Sequence, residues 1–312
     1  MPSTRRHFIG ACIGSAAAAA WLPRVACVHA AAADSAPLAT VRLTPDVALV
    51  SGAGGNVIVL AQDEGLLIVN GGLAERSAEL LTAIGREFPG RQPRMLFNTD
   101  WHPDHTGLNT TLGPAGGRIV AHENTKGWLS IEVVGRWQKR TFAPLPAKAR
   151  PSETFYTTGT LTFGKETVAY GHLGQAHTDG DIYVHLPGPD ILVAGDVVTV
   201  GEYPILDYST GGWIGGMANA ARTLLGIAGA GTRIVPGVGP VQGRSHLQAE
   251  HDMLVATRDR LVKLLKSGSS LNEMLAAAPT KEFDPVWGDP ALFVRNAYPG
   301  LWWHARELGG VI

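Results

Sequence analysis

The stretch FNTDWHPDHTG, residues 97–107, constrains the fold more than any other part of the chain. It follows an apolar run, PRMLF, that is typical of a strand, and it holds Asp100, His102, Asp104 and His105 within six positions. On an extended segment that turns, residues two apart point the same way. Asp100 and His102 can therefore face one metal ion while Asp104 and His105 turn towards another. The loop alone cannot complete a tetrahedral site, so further ligands must come from elsewhere in the chain.

The rest of the chain alternates strands and helices in two similar halves. In the first half, runs of valine, isoleucine and leucine precede a segment with helical spacing, ERSAELLTAIGREF, and a second helix is expected near KGWLSIEVV. The second half repeats strands and then a helix near MANAARTLLGIAG, and the C-terminal tail is predicted to be helical. This order predicts an α/β fold with two sheets packed face to face and helices outside. Residues 35–312 contain no Ser/Gly linker and are interpreted as one domain.

The N-terminus has the features of an export signal rather than of a folded domain. Arg5 and Arg6 precede a small, apolar run that ends at Pro23, so residues 1–33 are predicted to be a signal peptide of the twin-arginine type. The prediction places the protein in the periplasm or outside the cell; an uncleaved anchor and a lipoprotein processed at Cys27 are the alternatives. Cleavage removes both cysteines of the chain, so any metal must be held by histidine, aspartate and glutamate.

The charge balance excludes some classes of partner. The formal net charge of −1 provides no basic surface for nucleic acid. We expect no nucleic-acid partner and no stable membrane association once the signal is cleaved. The oligomeric state is not defined by the sequence.

Two later segments offer the missing ligands. His177 lies in a glycine-rich turn, GQAHTDGD, after a predicted strand, and Asp196 ends the apolar strand ILVAG. A carboxylate at the end of a buried strand needs a charged or metallic partner. An aspartate that caps a loop is the alternative interpretation of Asp196.

Taken in order, the segments TDWHPDH, QAHTDGD, AGD and PGVG resemble the motifs of the metallo-β-lactamase superfamily. That family has a THxHxDH loop, a later histidine flanked by glycine, an aspartate at a strand end and a final PGHG turn. The resemblance covers nearly all of residues 40–312. It implies an αββα sandwich with the metal ions at one edge, a helical C-terminal tail and a catalytic role for the domain at 35–312.

The resemblance also assigns six ligands to two metal ions. The first ion would be held by Asp100, His102 and His177, and the second by Asp104 and His105, with Asp196 bridging the two.

Three positions depart from the family pattern. Asp100 stands where the family usually has histidine, Val238 where it has the last histidine, and Asn70 where an aspartate often braces the site. Asp100 keeps a ligand, and two histidines with one carboxylate form an ordinary zinc set. Val238 cannot bind a metal. We therefore expect one tight zinc site beside a second site that is weak or empty, with iron or manganese as other candidate metals.

The resemblance implies an exported metal-dependent hydrolase with a small-molecule substrate. A metal-bound hydroxide would attack an ester, thioester or amide carbonyl, including that of a β-lactam. Asp104 is expected to act as general base, and Asp104 or Asp196 to orient the nucleophile. One alternative is a non-haem iron enzyme that uses oxygen, because two histidines and a carboxylate also suit iron. The other is a non-catalytic descendant that binds a ligand or partner.

The remaining histidines and aromatic residues are expected to have mainly structural roles. His122 and His172 are expected to cap turns or line the cleft, His185 to belong to a strand, and His246 to lie at a helix start rather than replace the ligand lost at Val238. Five aromatic residues are expected in loops that border the cleft, where they either stack on an apolar substrate or pack beneath the loops: Trp101, Trp128, Trp137, Tyr203 and Trp213.

Overall fold

A computed structural model describes residues 37–309 of the chain. The predicted signal peptide, residues 1–33, lies outside the described residues and stays a prediction. Between residues 37 and 309, no helix is both long enough and apolar enough to cross a membrane.

The first sheet has seven strands in the order β1-β2-β3-β4-β5-β6-β9. These strands are β1 (Ala39–Thr44), β2 (Val47–Ser51), β3 (Val57–Gln62), β4 (Gly65–Val69), β5 (Pro93–Phe97), β6 (Arg118–His122) and β9 (Glu153–Phe155). The first four pair antiparallel. From β4 to β9 the strands pair parallel, because helical connections return the chain to the same end of the sheet.

The second sheet has five strands in the order β10-β11-β12-β13-β14. They are β10 (Thr158–Phe163), β11 (Glu166–His172), β12 (Ile182–Leu186), β13 (Ile191–Gly195) and β14 (Arg233–Pro236). The first four pair antiparallel, whereas β13 and β14 are parallel. His185 lies within β12, as its sequence context predicts.

A separate two-stranded hairpin joins β7 (Val133–Gly135) to β8 (Arg140–Phe142). The helix expected near KGWLSIEVV, residues 126–134, is therefore wrong over its second half. The helix spans Glu123–Trp128 instead, and Val133 and Val134 are in the hairpin. Adjacent β-branched residues favour a strand over a helix, and here that local preference decides the outcome.

The helices are α1 (Ser77–Glu87), α2 (Pro103–Thr106), α3 (Asn109–Leu112), α4 (Glu123–Trp128), α5 (Ile214–Ile227), α6 (Arg244–Lys266), α7 (Leu271–Ala276), α8 (Asp284–Trp287) and α9 (Ala291–Trp303). The last four confirm the predicted helical tail.

Side-chain alternation along the strands builds the layers. In β2, Val47 and Leu49 enter the core between the two sheets, whereas Ala48 and Val50 face the helix α1. In β13, Val193 faces the other sheet and Leu192 joins a third cluster with the helices α5, α6 and α9. Because successive side chains of a strand point to opposite faces, each sheet buries both of its faces. The α/β sandwich with helices outside both sheets, αββα, is confirmed.

The chain ends of several strands meet at one edge of the sandwich. The segments that follow β5, β11 and β13 carry all of the candidate ligands, with Asp104 and His105 in the short helix α2. Asn56, in the turn before β3, joins the two sheets at this edge. Its backbone N–H donates to the carbonyl of Gly237 at 2.7 Å, and its side-chain amide donates to the carbonyl of Pro236 at 3.0 Å.

Candidate metal centre

The loop between β5 and α2 is folded so that its functional side chains point inwards. Asp100 Oδ1 accepts a hydrogen bond from the backbone N–H of His102 at 2.7 Å, which turns the chain just before α2. Asn70 Oδ1 accepts from both the N–H and the hydroxyl of Thr99, each at 3.0 Å. Asn70 therefore braces the loop, which is the role that the resemblance implies for this position.

The first group of candidate ligands consists of Asp100, His102, His177 and Asp196, whose ligand atoms all lie within 4.8 Å of one another. His177 Nε2 is 2.9 Å from His102 Nδ1 and 3.3 Å from Asp196 Oδ2. His102 Nδ1 is 3.3 Å from Asp100 Oδ1. Three segments distant in sequence thus converge on one small volume.

The second group consists of Asp104, His105 and Asp196. His105 Nε2 lies 3.1 Å from Asp196 Oδ1 and 3.7 Å from Asp104 Oδ2. Asp196 therefore directs one oxygen towards each group. The structure thus brings together all six residues that the sequence nominates, with Asp196 between the two groups.

The hydrogen bonds of the two histidines in the first group leave facing lone pairs. His177 Nδ1 lies 2.8 Å from the carbonyl oxygen of Ile205, which can only accept, so this nitrogen donates. His102 Nε2 likewise donates to Asp207 Oδ2 at 3.3 Å. In neutral imidazoles the other nitrogens, His177 Nε2 and His102 Nδ1, then carry bare lone pairs directed at each other. A shared proton or a bound metal ion would satisfy both nitrogens.

Unpartnered atoms in both groups support the same conclusion. Asp100 Oδ2 and both ring nitrogens of His105 are buried and have no hydrogen-bond partner among the described residues. They lie at ion-pair distance from one another but without hydrogen-bond alignment, Nε2 to Oδ2 being 3.4 Å. Buried polar atoms are almost always paired. A set of imidazole nitrogens and carboxylate oxygens fits zinc, and also iron or manganese.

The pKa values of the cluster follow its charges. Burial opposes the charged forms of His102 and His105, yet the adjacent carboxylates outweigh it and raise the pKa of both well above its ordinary value. Burial also opposes ionisation of Asp100 and Asp196, but the charge of His105 holds both pKa values low. At Asp104 burial prevails and the pKa is raised. Without metal, the histidines draw protons that a divalent cation would displace.

Asp207 is a functional residue that the sequence reasoning missed. Its side chain is fully buried and holds His102, while Thr210 donates its hydroxyl to Asp207 Oδ2 at 2.8 Å. Trp101 Nε1 donates in turn to the Thr210 hydroxyl at 3.1 Å. Because the adjacent Ile205 carbonyl holds His177, a single short segment fixes the ring orientation of both histidines. Carboxylate or carbonyl partners of this kind fix the tautomer of a metal ligand.

Asp181 is a second residue without a predicted role. It accepts hydrogen bonds from the N–H and the hydroxyl of Thr178, at 2.8 and 2.9 Å, and so shapes the turn that carries His177. Burial raises its pKa to about 7. The motif QAHTDGD contains this aspartate, but nothing in the motif distinguishes it from an exposed turn residue.

The structure gives no role in the cluster to Val238 or His246. The Val238 side chain is 52% exposed. His246 lies at the start of α6, as predicted, and its Nε2 bonds to the carbonyl of Thr199. Neither residue therefore supplies the ligand that the family pattern has at position 238.

Of the five aromatic residues, Trp101, Tyr203 and Trp213 lie in loops as expected and are buried, which agrees with the packing alternative. Trp128 lies in α4 rather than in a loop. Trp101 packs against the ring of His102 with the centroids 4.4 Å apart. Trp137, at the tip of the β7–β8 hairpin, remains beside the site, with its ring centroid 6.4 Å from that of His102.

Comparison with known proteins agrees with this geometry. The sequence model of the metallo-beta-lactamase superfamily matches residues 50–267, a range that includes all six candidate ligands. A metallo-beta-lactamase from Pontibacter korlensis has a similar structure, with 21% sequence identity and a TM-score of 0.57 over 70% of this chain and 99% of that chain. The metallo-beta-lactamase DIM-1 is 20% identical, with a TM-score of 0.56 over 70% and 98% of the two chains.

A different enzyme matches more of the described fold. The stereoselective inverting sec-alkylsulfatase Pisa1 from Pseudomonas sp. is 16% identical, with a TM-score of 0.68 over 87% of this chain and 50% of that chain. This chain therefore spans about half the length of the alkylsulfatase. At these identities the similarity shows the fold alone. No significant match was found among curated proteins.

Proposed function

Because this chain belongs to the metallo-beta-lactamase superfamily, we propose that it is an exported, metal-dependent hydrolase of a small-molecule substrate. The observation that carries the proposal is the pair of facing ring nitrogens, His102 Nδ1 and His177 Nε2, 2.9 Å apart beside two carboxylates. A buried arrangement of this kind is unfavourable without a cation, and the superfamily provides the hydrolase fold around it. Zinc is the metal that this donor set suits best.

Asp100, His102 and His177 would hold the tight metal, with Asp196 shared between the two sites. Asp104, His105 and Asp196 offer only three protein ligands to a second metal, because Val238 cannot contribute, so this site would be weak or empty. When bound, zinc supplies Lewis acidity, which polarises a carbonyl oxygen and makes water more acidic. We therefore assign hydrolysis of an ester, a thioester or an amide, including a β-lactam, to this site.

Asp104 and Asp196 are the carboxylates placed to act on water. Their side chains are 27% and 21% exposed, whereas those of Asp100 and His102 are 1% and 3% exposed. A reacting water can thus reach Asp104 and Asp196, whereas the side chains of Asp100 and His102 are closed to solvent. The raised pKa of Asp104, which follows from partial burial and from the nearby charge of Asp196, suits it to accept a proton and release it again. Asp196 would orient the water.

A second candidate function rests on the same three residues. Two histidines and one carboxylate, His102, His177 and Asp100, that face a common point also suit non-haem iron and oxygen chemistry. The identity of the bound metal distinguishes the two candidates.

Metal content is the deciding experiment. The exported mature protein would be purified without a histidine tag, its metals measured by plasma mass spectrometry, and its hydrolysis of esters, thioesters and β-lactams screened with and without a chelator. We expect about one tightly bound zinc per chain and hydrolysis that the chelator abolishes. Iron with oxygen-dependent turnover would favour the second candidate. No metal after reconstitution would refute both candidates and favour a non-catalytic binding protein.

A further inference from the structure

The β7–β8 hairpin lies against the candidate metal centre at both its tip and its base. At the tip, the backbone N–H of Arg136 donates to Ser209 Oγ at 3.4 Å, and Ser209 N–H donates to Asp207 Oδ1 at 3.1 Å. At the base, Phe142 packs edge-on against Trp101 with the ring centroids 5.3 Å apart. Trp101 in turn covers His102. The hairpin therefore forms one wall of the site.

The segment that contains this wall is strongly cationic. Residues 126–150 hold one acidic residue, Glu132, and six basic residues: Lys126, Arg136, Lys139, Arg140, Lys148 and Arg150. The whole chain has a net charge of −1, so the segment differs from the rest. Three of the cations, Arg136, Lys139 and Arg140, are exposed on the hairpin. Within residues 37–309, none of the six forms an ion pair.

The metal centre itself has no positive charge to offer an anion. A divalent cation held by Asp100 and Asp196 is balanced by two carboxylates, and Asp104 and Asp207 add further acidic groups nearby. Attraction for a negatively charged ligand must therefore come from outside the cluster. A patch of one sign at the mouth of a cleft raises the local concentration and association rate of ligands of the other sign.

The hairpin tip also contains polar atoms that lack partners. Trp137 Nε1 and Gln138 Oε1 are buried, and neither has a hydrogen-bond partner in the described part of the chain. The hairpin consists of two three-residue strands that pair only with each other, an arrangement with little stability of its own. A bound ligand that supplies an oxygen to Trp137 would remove an unfavourable burial of an N–H group.

We propose that the β7–β8 hairpin is the substrate-recognition wall of this site, and that it selects substrates that carry a negatively charged group apart from the bond that is cleaved. Arg136, Lys139 and Arg140 attract that group, which is a carboxylate, a sulfate or a phosphate, and Trp137 donates to an oxygen of the same substrate. This inference rests on the proposed hydrolytic function and names the class of substrate for it.

The test uses two esters that differ by one charge. Hydrolysis of 4-nitrophenyl butyrate and of the 4-nitrophenyl monoester of succinic acid would be followed with the metal-loaded full chain. In the variant Arg136→Gln/Lys139→Gln, we expect kcat/KM for the succinyl ester to fall roughly three- to tenfold, a larger loss than that for the butyryl ester. Raising the salt concentration should lower only the succinyl rate, because salt screens exposed charges.

The control variant is Arg86→Gln, which removes an exposed arginine near the end of α1. We expect it to leave both esters unaffected. The inference would be overturned if the hairpin variant lost the same factor on both esters. It would also be overturned if Arg86→Gln lowered kcat/KM for the succinyl ester as much as the hairpin variant does. Hydrolysis itself would be intact in both cases.

A binding measurement keeps the inference separate from the proposed function. Calorimetry would compare phenylacetate with phenylacetamide, which have similar size and differ in charge. We expect phenylacetate to bind more tightly and to lose roughly three- to tenfold in affinity in Arg136→Gln/Lys139→Gln. Trp137→Phe, which keeps the ring but removes the N–H, should weaken phenylacetate binding by a similar factor. If neither ester is hydrolysed, the proposed function fails; if phenylacetate has no advantage, or keeps it in the variants, the recognition inference fails.

Discussion

Two pairs of histidine rings are in contact within residues 37–309, and their surroundings differ. The rings of His102 and His177 are tilted by 54° with centroids 4.7 Å apart. Each bonds outwards through one nitrogen, and the other two nitrogens face each other on the inner side. The rings of His122 and His172 are stacked 3.7 Å apart at 14°. In this second pair, three of the four ring nitrogens bond to backbone groups.

The comparison shows that the hydrogen-bond partners of two adjacent histidines, and not their proximity, decide whether the pair can bind a metal. His122 Nδ1 accepts from the N–H of Asn124 and so caps α4. Its Nε2 donates to the carbonyl of Tyr156, which links the end of β6 to the residue after β9. This fits the structural interpretation of its sequence context. The first pair has carboxylates on its inner side instead, and only that pair can receive a metal.

The largest effect expected from this comparison is the difference between His177→Ala and His172→Ala. His177→Ala removes a nitrogen that faces the cluster, so the chain should lose its tightly bound metal and at least about a hundredfold in hydrolysis, more than loss of a supporting residue costs. His172→Ala removes a hydrogen bond to the backbone and the stacking contact with His122, neither of which belongs to the cluster, and should retain the metal. Metal per chain and the initial rate on the substrate found by the screen are the measurements. Equal metal content in the two variants would contradict the distinction between the pairs.

An intermediate effect is expected from Asp207. Asp207→Ala frees the His102 ring to rotate and should lower zinc affinity by about 10- to 100-fold, whereas Asp207→Asn keeps an oxygen that accepts from His102 and should restore much of it. Competition with a chelator measures the affinity, and the visible spectrum of the cobalt-loaded protein reports the ligand geometry.

A matched control for Asp207 exists in the turn between β12 and β13. Asp190 Oδ1 lies 4.0 Å from His185 Nε2, and neither residue belongs to the cluster. Asp190→Asn should therefore leave zinc affinity and the cobalt spectrum unchanged. If Asp207→Ala behaves like this control, Asp207 does not position His102.

Much of the fold and the outline of the site could be predicted from local signals. Strands such as β13 are short apolar runs bounded by turns, and the candidate ligands follow such runs directly, as Asp196 follows Gly195. The resemblance of four motifs, in a fixed order, to those of the superfamily then implies which strand ends meet. A local pattern is sufficient here because each ligand is adjacent to the strand that positions it.

The parts that could not be predicted depend on contacts between distant segments. Asp207 follows His177 by 30 residues in the sequence YPILDYST, which has no metal-type spacing. Its position depends on the hydrogen bond from its own N–H to the carbonyl of His177 at 2.9 Å. The β7–β8 hairpin was missed for a similar reason, since strands of three residues that pair with no larger sheet leave almost no periodic signal.

The smallest expected effect is on the pH dependence of the free energy of unfolding. As the pH falls, His122 should lower this free energy, whereas His102 should raise it. Burial and the neighbouring His172 lower the pKa of His122 to about 4. Between the ordinary histidine pKa, about 6.5, and that value, the unfolded chain binds a proton that the folded chain does not, so stability falls as the pH drops. His102 has a raised pKa instead, so its contribution is complete below pH 6.5 and is lost as the pH rises through its folded value.

Urea unfolding of the metal-free protein between about pH 4.5 and pH 8.5 measures both slopes. In His122→Asn, which keeps an acceptor for the N-terminus of α4, the acid slope should become shallower by roughly 1 kcal/mol over the window. Saturating zinc should reverse the alkaline slope, because a metal binds only the deprotonated rings of His102 and His177. An acid slope unchanged in His122→Asn, or an alkaline slope unaffected by zinc, would show that the two pairs do not differ in the way their hydrogen bonds indicate.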